Sequence, residues 1–315
     1  MEDMYDVVII GAGPAGMTAS IYAIRANMRV LLLDRLSPGG QMINTNEIEN
    51  YTGAGKLNGA ELAVKMFEHT QELGVAFDYK TVKSVSLDGN IKIVSCEEDN
   101  AVYKAHSVIL ATGAVPRRLG VPGEDRFAGS GISWCAICDG AQYRGKTVVV
   151  IGGGNSAVEE AAYLADICTR VTLVTMLDLT ADPKACAQLR CRDNVDIYLW
   201  QDVLEFTGEK KISGVRFKGN KEDQTERYVT CDGVFEYIGF QASNESFKDL
   251  GITDTFGCIQ TDGRMRTSIP GIFGAGDINA KHLRQIVTAC SDGAIAANSA
   301  AAYVKSLKEC EVNND

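Results

Sequence analysis

The stretch Cys135-Ala-Ile-Cys138-Asp139 is where this chain is most able to do chemistry. Two cysteines separated by two residues can close a small disulfide ring, and the motif depresses the pKa of one thiol so that a thiolate is available as nucleophile. A zinc site would need four ligands. The sequence has no second C-x-x-C and no paired histidines to complete one, since His69, His106 and His282 stand singly. The pair therefore predicts redox chemistry and no metal. Asp139 suits either a proton donor and acceptor during disulfide exchange or a cap for the turn that follows. Among the remaining cysteines, Cys96, Cys168, Cys186, Cys191, Cys231, Cys258 and Cys290 lie in apolar stretches and are expected to be buried, inert thiols. Cys310 is expected to be exposed in a polar, disordered tail from Lys308 to Asp315.

The elements that must position this pair form an internal repeat. Residues 7 to 34 run Val-Val-Ile-Ile-Gly11-Ala-Gly13-Pro14-Ala15-Gly16, an Ala-rich helical stretch, and a second apolar run ending at Asp34. Residues 148 to 175 repeat the pattern at a constant offset of 141, placing Gly152 on Gly11, Gly154 on Gly13 and Ala157 on Gly16. Each copy reads strand, Gly-rich turn, helix, strand, which is the context a dinucleotide-binding fingerprint requires: the first glycine turns tightly, the second admits the pyrophosphate, and the third packs helix on strand. An acid about 20 residues on should bind the adenosine ribose. Asp34 fills that role in the first copy, but the second offers Thr175 followed by Met176 and Leu177, with neither acid nor arginine.

Two further apolar runs end in small residues, Val108-Ile-Leu-Ala-Thr112-Gly113 and Gly271-Ile-Phe-Gly-Ala-Gly276-Asp277. With the first fingerprint they read as flavin contacts, the small residues letting the chain pass close to a bulky cofactor and Asp277 accepting from the polyol. Because Asp277 lies beyond the second fingerprint, the first domain must be split. The expected fold is α/β, with two Rossmann-like dinucleotide-binding domains, the second inserted into the first. Residues 1–114 and 247–315 would bind FAD, and residues 115–246 would form an NAD(P)H-binding-like domain carrying the C-x-x-C. The Pro116 and Pro122 flanks and the Gly239 to Asn244 stretch would be the two crossovers, and a pair of crossovers allows a hinge.

A length of 315 residues supports two domains. The formal net charge of −10 argues against a nucleic-acid partner. No apolar run approaches the roughly 20 residues of a membrane span. The N-terminus, Met1 to Asp6, is acidic where a secretory signal is basic, so a cytoplasmic location is expected.

These motifs resemble the low-molecular-weight thioredoxin reductases from about residue 5 to residue 305. Gly39-Gly40-Gln41, Ile48-Glu-Asn50-Tyr-Thr-Gly53, Ala111-Thr112-Gly113-Ala114, Cys135-Ala-Ile-Cys138-Asp139-Gly140, Gly274-Ala-Gly-Asp277 and Arg284-Gln285 occur in that family's order. The resemblance implies a homodimer with FAD surrounded by Gly40, Gln41, Asn50, Asp277, Arg284 and Gln285. It also implies that Cys138 approaches the flavin, Cys135 attacks the disulfide of thioredoxin or a similar small protein, and Asp139 serves as acid and base. In the second domain Gly152, Gly154, Ser156, Ala157 and Glu159 match nucleotide-contacting positions, and that domain is expected to swing. Family members that use NADPH carry His-Arg-Arg and a further Arg after the second strand, whereas here Thr175 to Ala181 reads Thr-Met-Leu-Asp-Leu-Thr-Ala. The electron donor is therefore open between NAD(P)H and a non-nicotinamide carrier such as ferredoxin. A dithiol oxidase that passes electrons to oxygen is the alternative enzyme, and a flavoprotein binding or sensing module the non-enzymatic one.

Overall fold

The computed structural model describes residues 4–45 and 48–312, with side chains to residue 309. The chain divides into two compact units, Met1–Val115 with Gln241–Asp315, and Pro116–Phe240.

The first unit begins with β1 (Met4–Ile10), α1 (Pro14–Arg25) and β2 (Val30–Asp34). Val7 to Ile10 and Val30 to Leu33 are continuous apolar runs because both faces of these strands are covered, as parallel strands require. α1 opens with Pro at its first position, where the missing N–H costs nothing. α2 (Gly59–Glu72) is fixed by a capping box in which Asn58 accepts from Ala60 N and Glu61 accepts from Asn58 N. After β3 (Ala76–Tyr79) come β4 (Val82–Asp88), β5 (Ile91–Cys96) and the long β6 (Val102–Leu110). The sheet order is β3-β2-β1-β6-β5-β4, parallel from β3 through β6 and antiparallel across β6-β5-β4.

The chain leaves this unit through β7 (Ala114–Pro116). The second unit contains α3 (Glu124–Phe127), β8 (Ile132–Ser133), α4 (Ala136–Asp139), β9 (Thr147–Ile151), α5 (Asn155–Ile167), β10 (Arg170–Thr175), α6 (Pro183–Arg190) and β11 (Val195–Leu199). An antiparallel sheet of β12 (Gln201–Gly208), β13 (Ile212–Gly219) and β14 (Glu226–Thr230) follows, and then β15 (Gly233–Glu236). Its parallel sheet has the order β11-β10-β9-β15-β8. The C-x-x-C follows β8, a two-residue strand too short to carry a periodic signal in the sequence.

The chain returns through β16 (Phe240–Ala242), which pairs with β7. β17 (Ile272–Gly274) then joins β6 in parallel, and α7 (Ile286–Val312) packs on α1. Lys308 to Val312, expected to be disordered, continue this helix. The Cys310 side chain and residues 313–315 lie outside the described residues. Cys191 is exposed because it ends α6 as its C-cap, and Cys258 and Cys290 are half-buried beside the polar groups of Arg284 and Tyr51; Cys96, Cys168, Cys186 and Cys231 are buried.

The two glycine turns differ in one respect that the packing explains. Gly11 and Gly152 both need positive φ, at 105° and 133°. A Cβ on Gly16 would stand 1.8 Å from Gly11 O, whereas the second copy accommodates Ala157, fully buried, at the same place. Gly16→Ala is therefore expected to cost about 1–3 kcal/mol by overpacking, read as a lower Tm. Ala157→Gly should cost less, about 0.5–1 kcal/mol, from helix entropy.

Candidate active site

Cys135 and Cys138 are joined in a disulfide, Cα to Cα 5.3 Å, at the start of α4. Ser133, the last residue of β8, organises the turn on both sides. Its Oγ accepts from Cys135 N at 3.1 Å and donates to Asp139 Oδ2. Asp139 N donates to Cys135 O at 3.0 Å, and Cys138 N donates to Cys135 Sγ at 3.1 Å. The Asp139 side chain makes no cap bond to the following turn, so the capping reading gives way to a carboxyl aimed at Ser133. Burial holds that carboxyl above the ordinary aspartate range, and the Ser133 hydroxyl pulls partly the other way. A carboxyl shifted upward in this way beside a disulfide is better suited to exchange a proton with a departing thiolate.

Residues about 100 positions later brace the same turn. Tyr237, just after β15, accepts from Ala136 N through its hydroxyl at 2.6 Å. Burial raises the tyrosine pKa, reinforced by the adjacent Glu160 carboxyl, so the hydroxyl stays protonated and also bonds Glu160. Glu236, the last residue of β15, accepts from Trp134 Nε1 at 3.0 Å. Spacing and motif reasoning passed over Ser133, Trp134, Glu160, Glu236 and Tyr237. The available signal was the acid at the end of an otherwise apolar strand, Gly-Val-Phe-Glu236, whose every residue is buried.

In the first unit the glycine turn, Asp34 and Asp277 surround the C-terminal ends of β1, β2 and β17. Asp34 Oδ2 accepts from Ala12 N at 2.6 Å and Oδ1 from Leu36 N at 2.9 Å, which fixes the carboxylate at the mouth of the turn. Pro14 and Ala15 begin α1, and a Cβ on Gly40 would come within 3.2 Å of Gly13 Cα, so two backbones approach closely there. Thr112 Oγ1 donates to Ser243 O, and Gly113 O accepts from Ser243 N. Asn50 Nδ2 donates to Gln285 Oε1 at 2.9 Å, joining two residues 235 apart, and Arg284 Nε lies 3.4 Å from Asp277 O. Gln41 is exposed on the short 3-10 turn Gly40–Asn44. Asp277 Oδ1 is buried without a hydrogen-bond partner, and burial raises its pKa. A buried acceptor of this kind is satisfied by a ligand hydroxyl. With the two facing glycines it fits the polyol and pyrophosphate of FAD.

The second turn keeps its cradle. Gly154 precedes α5, Ser156 and Glu159 are exposed on its first turns, and Ala157 is buried beneath. The segment after β10 folds back on it: Thr180 N donates to Gly153 O at 2.8 Å and Asp182 N to Asn155 Oδ1 at 2.8 Å. After β10, Met176 and Leu177 are each 54% exposed, and Asp178 pairs with Arg190 at 3.7 Å. Among the described residues no group of three or more His, Cys, Asp or Glu could hold a metal, and no helix is long and apolar enough to cross a membrane.

Two dinucleotide turns and a dithiol-forming disulfide define a nucleotide-dependent disulfide oxidoreductase. Residues 5–293 match the pyridine nucleotide-disulphide oxidoreductase family. The chain is 45% identical over 311 residues to a thioredoxin reductase of Bacillus subtilis, covering 98% of this chain and 97% of that one. The crystal structure of thioredoxin reductase from Streptococcus pyogenes superimposes with a TM-score of 0.90 at 44% identity, covering 97% of this chain and 100% of that one. A ferredoxin-flavin thioredoxin reductase from Clostridium acetobutylicum matches at 28% identity and a TM-score of 0.54, over 97% and 99% of the two chains. The chain belongs to the low-molecular-weight thioredoxin reductases, FAD-dependent disulfide oxidoreductases of the thioredoxin-disulfide reductase type.

Proposed function

We propose that the chain reduces the disulfide of thioredoxin or a similar small protein through Cys135 and Cys138, and that its electron supply is not built for NADPH. The observation that carries this reading is the combination of an organised redox turn with Met176 and Leu177 exposed in place of a phosphate clamp. Bound FAD supplies a two-electron carrier between the donor and the protein disulfide. Glycines 11, 13 and 16 with Pro14 and Ala15 would take its pyrophosphate, Asp34 its ribose, and Gly40, Gln41, Asn50, Thr112, Gly113, Asp277, Arg284 and Gln285 the rest of the cofactor. Once the pair is a dithiol, the Cys135 thiolate attacks the partner disulfide and Asp139 protonates the departing sulfur. Cys138 then attacks Cys135 Sγ and releases the second partner thiol, so two electrons leave the pair and two thiols form on the partner. The protein acts as a homodimer located in the cytoplasm.

The donor is a nicotinamide used with little regard for its 2′-phosphate, through Gly152, Gly154, Ser156, Ala157 and Glu159, or a one-electron protein such as ferredoxin. The likeness to a ferredoxin-flavin thioredoxin reductase of Clostridium acetobutylicum supports the second arm. Anaerobic titration with NADPH, NADH and reduced ferredoxin, followed by flavin absorbance, tests this. Full bleaching by micromolar NADPH but not NADH would overturn it, and oxygen uptake with small dithiols in place of thioredoxin reduction would favour an oxidase. Asp139→Asn is expected to lower turnover with thioredoxin disulfide by ~10²–10⁴-fold, measured as thiol release at saturating partner.

A further inference from the structure

Behind the redox turn lies a second acidic pair that the disulfide chemistry leaves unused. Glu236 at the end of β15 and Glu124 at the start of α3 are each 2% exposed, and their carboxyls interact directly. Glu124 Oε1 accepts from Leu119 N at 2.9 Å and Oε2 from Gly120 N at 2.6 Å, so it is the acceptor of the pair. Glu236 Oε2 accepts from Trp134 Nε1, while Oε1 is buried with no donor directed at it. A proton carried by Oε1 and given to the Glu124 carboxyl beside it satisfies both groups. We infer that Glu236 is a positioning residue of the redox site: sharing a proton with Glu124, it holds the Trp134 indole, and through it the backbone that enters Cys135.

The surroundings identify what controls that proton. Facing Glu236 are Glu124 on α3, Arg118 on the segment leading to α3, and the Trp134 indole after β8; its partner on β9 is Ile151. Arg118 stacks on Trp134 at 4.4 Å from the ring centroid and lies 3.7 Å from Asp125. Burial, then the Glu124 carboxyl, raises the Glu236 pKa to about 8, with Trp134 and Arg118 opposing. Above that value Glu236 is charged beside the Glu124 carboxyl in a dry site, so the pair is pushed apart and the indole, still bonded to Glu236 Oε2, is displaced with it. The folded-state value lies above the ordinary 4.5, so burying Glu236 lowers stability progressively as pH rises from the ordinary value to the shifted one. Glu236→Gln reproduces the protonated carboxyl, an oxygen for Trp134 and an N–H for Glu124, and cannot titrate.

Trp134 and Trp200 are the two tryptophans of the chain, so in a Trp200→Phe background the indole reports directly. With excitation at the indole band of the holoenzyme, Trp134 emission is expected to change with a midpoint near pH 8, and the change should vanish when Glu236→Gln is added. The ratio of the thioredoxin-reduction rate of Glu236→Gln to that of the wild type is expected to rise by about three-fold or more from pH 7 to pH 9. This factor is what one ionisation near pH 8 allows. A flat Trp134 titration in the Glu236-containing protein, or the same titration persisting in Glu236→Gln, overturns the inference; so does a rate ratio that does not vary with pH. Should Glu236→Gln fail to fold, Glu124→Gln is the second variant. It removes the repelling charge and is expected to move the Trp134 midpoint to lower pH by about one unit or more, and an unmoved midpoint counts against the pair.

Discussion

Cys138→Ser is expected to abolish turnover with thioredoxin disulfide, by ~10³-fold or more, and to trap the partner as a mixed disulfide. The reason lies in the turn itself. Cys135 Sγ accepts from the Cys138 backbone N–H at the start of α4, so a backbone donor already faces the sulfur that becomes the attacking thiolate on reduction. With serine at 138, that thiolate still attacks the partner, but nothing attacks the resulting bond, because a hydroxyl is not a nucleophile toward sulfur near neutral pH. Cys135→Ser should lose turnover equally and trap far less. Accessibility alone argues the reverse, since Cys138 is exposed and Cys135 half-buried. Non-reducing electrophoresis after mixing each reduced variant with oxidised thioredoxin separates the two assignments. Trapping by Cys135→Ser but not Cys138→Ser would reverse the roles.

The parts of this protein that the sequence displays are those built from contiguous residues. A glycine turn between an apolar strand and a helix is local, so both nucleotide turns are legible in the sequence. The same holds for the spacing of Cys135 and Cys138. The residues that tune the disulfide are contributed by β8, α5 and β15, and only tertiary pairing of β15 with β8 and β9 brings Glu236 and Tyr237 beside Trp134 and Ala136. The return crossover shows the same limit: the structural units exchange at Phe240 and Gln241, because β16 pairs with β7, while the glycine and polar residues that mark a turn continue to Asn244. α7 is a further case, in which a polar C-terminal composition was overridden by helix propagation from a buried, Ala-rich segment.

NADPH is expected to bind this protein no better than NADH, and installing Met176→Arg, Leu177→Arg and Ala181→Arg together should tighten NADPH about 10²–10⁴-fold while leaving NADH within about three-fold. The magnitude follows from charge-assisted contacts of about 1.5–3 kcal/mol each, two of which are counted. Geometry favours the experiment at two positions, since Met176 and Leu177 are already solvent-facing and arginine needs no core space. Ala181 is buried at 8% exposure, so its replacement carries the packing cost and the double Met176→Arg/Leu177→Arg variant is the informative control. Asp178 works against any gain: its pairing with Arg190 leaves an acidic group within the segment that a 2′-phosphate would have to enter, and like charges there weaken the phosphate contact. Asp178→Asn added to the double variant should therefore improve NADPH further and change NADH little. Anaerobic flavin-bleaching titrations at two ionic strengths measure this, because a gain carried by exposed arginines must shrink as salt rises. Equal gains for NADPH and NADH would show that the arginines read the shared pyrophosphate instead. A wild-type protein already saturated by micromolar NADPH would place the 2′-phosphate on residues outside Thr175 to Ala181.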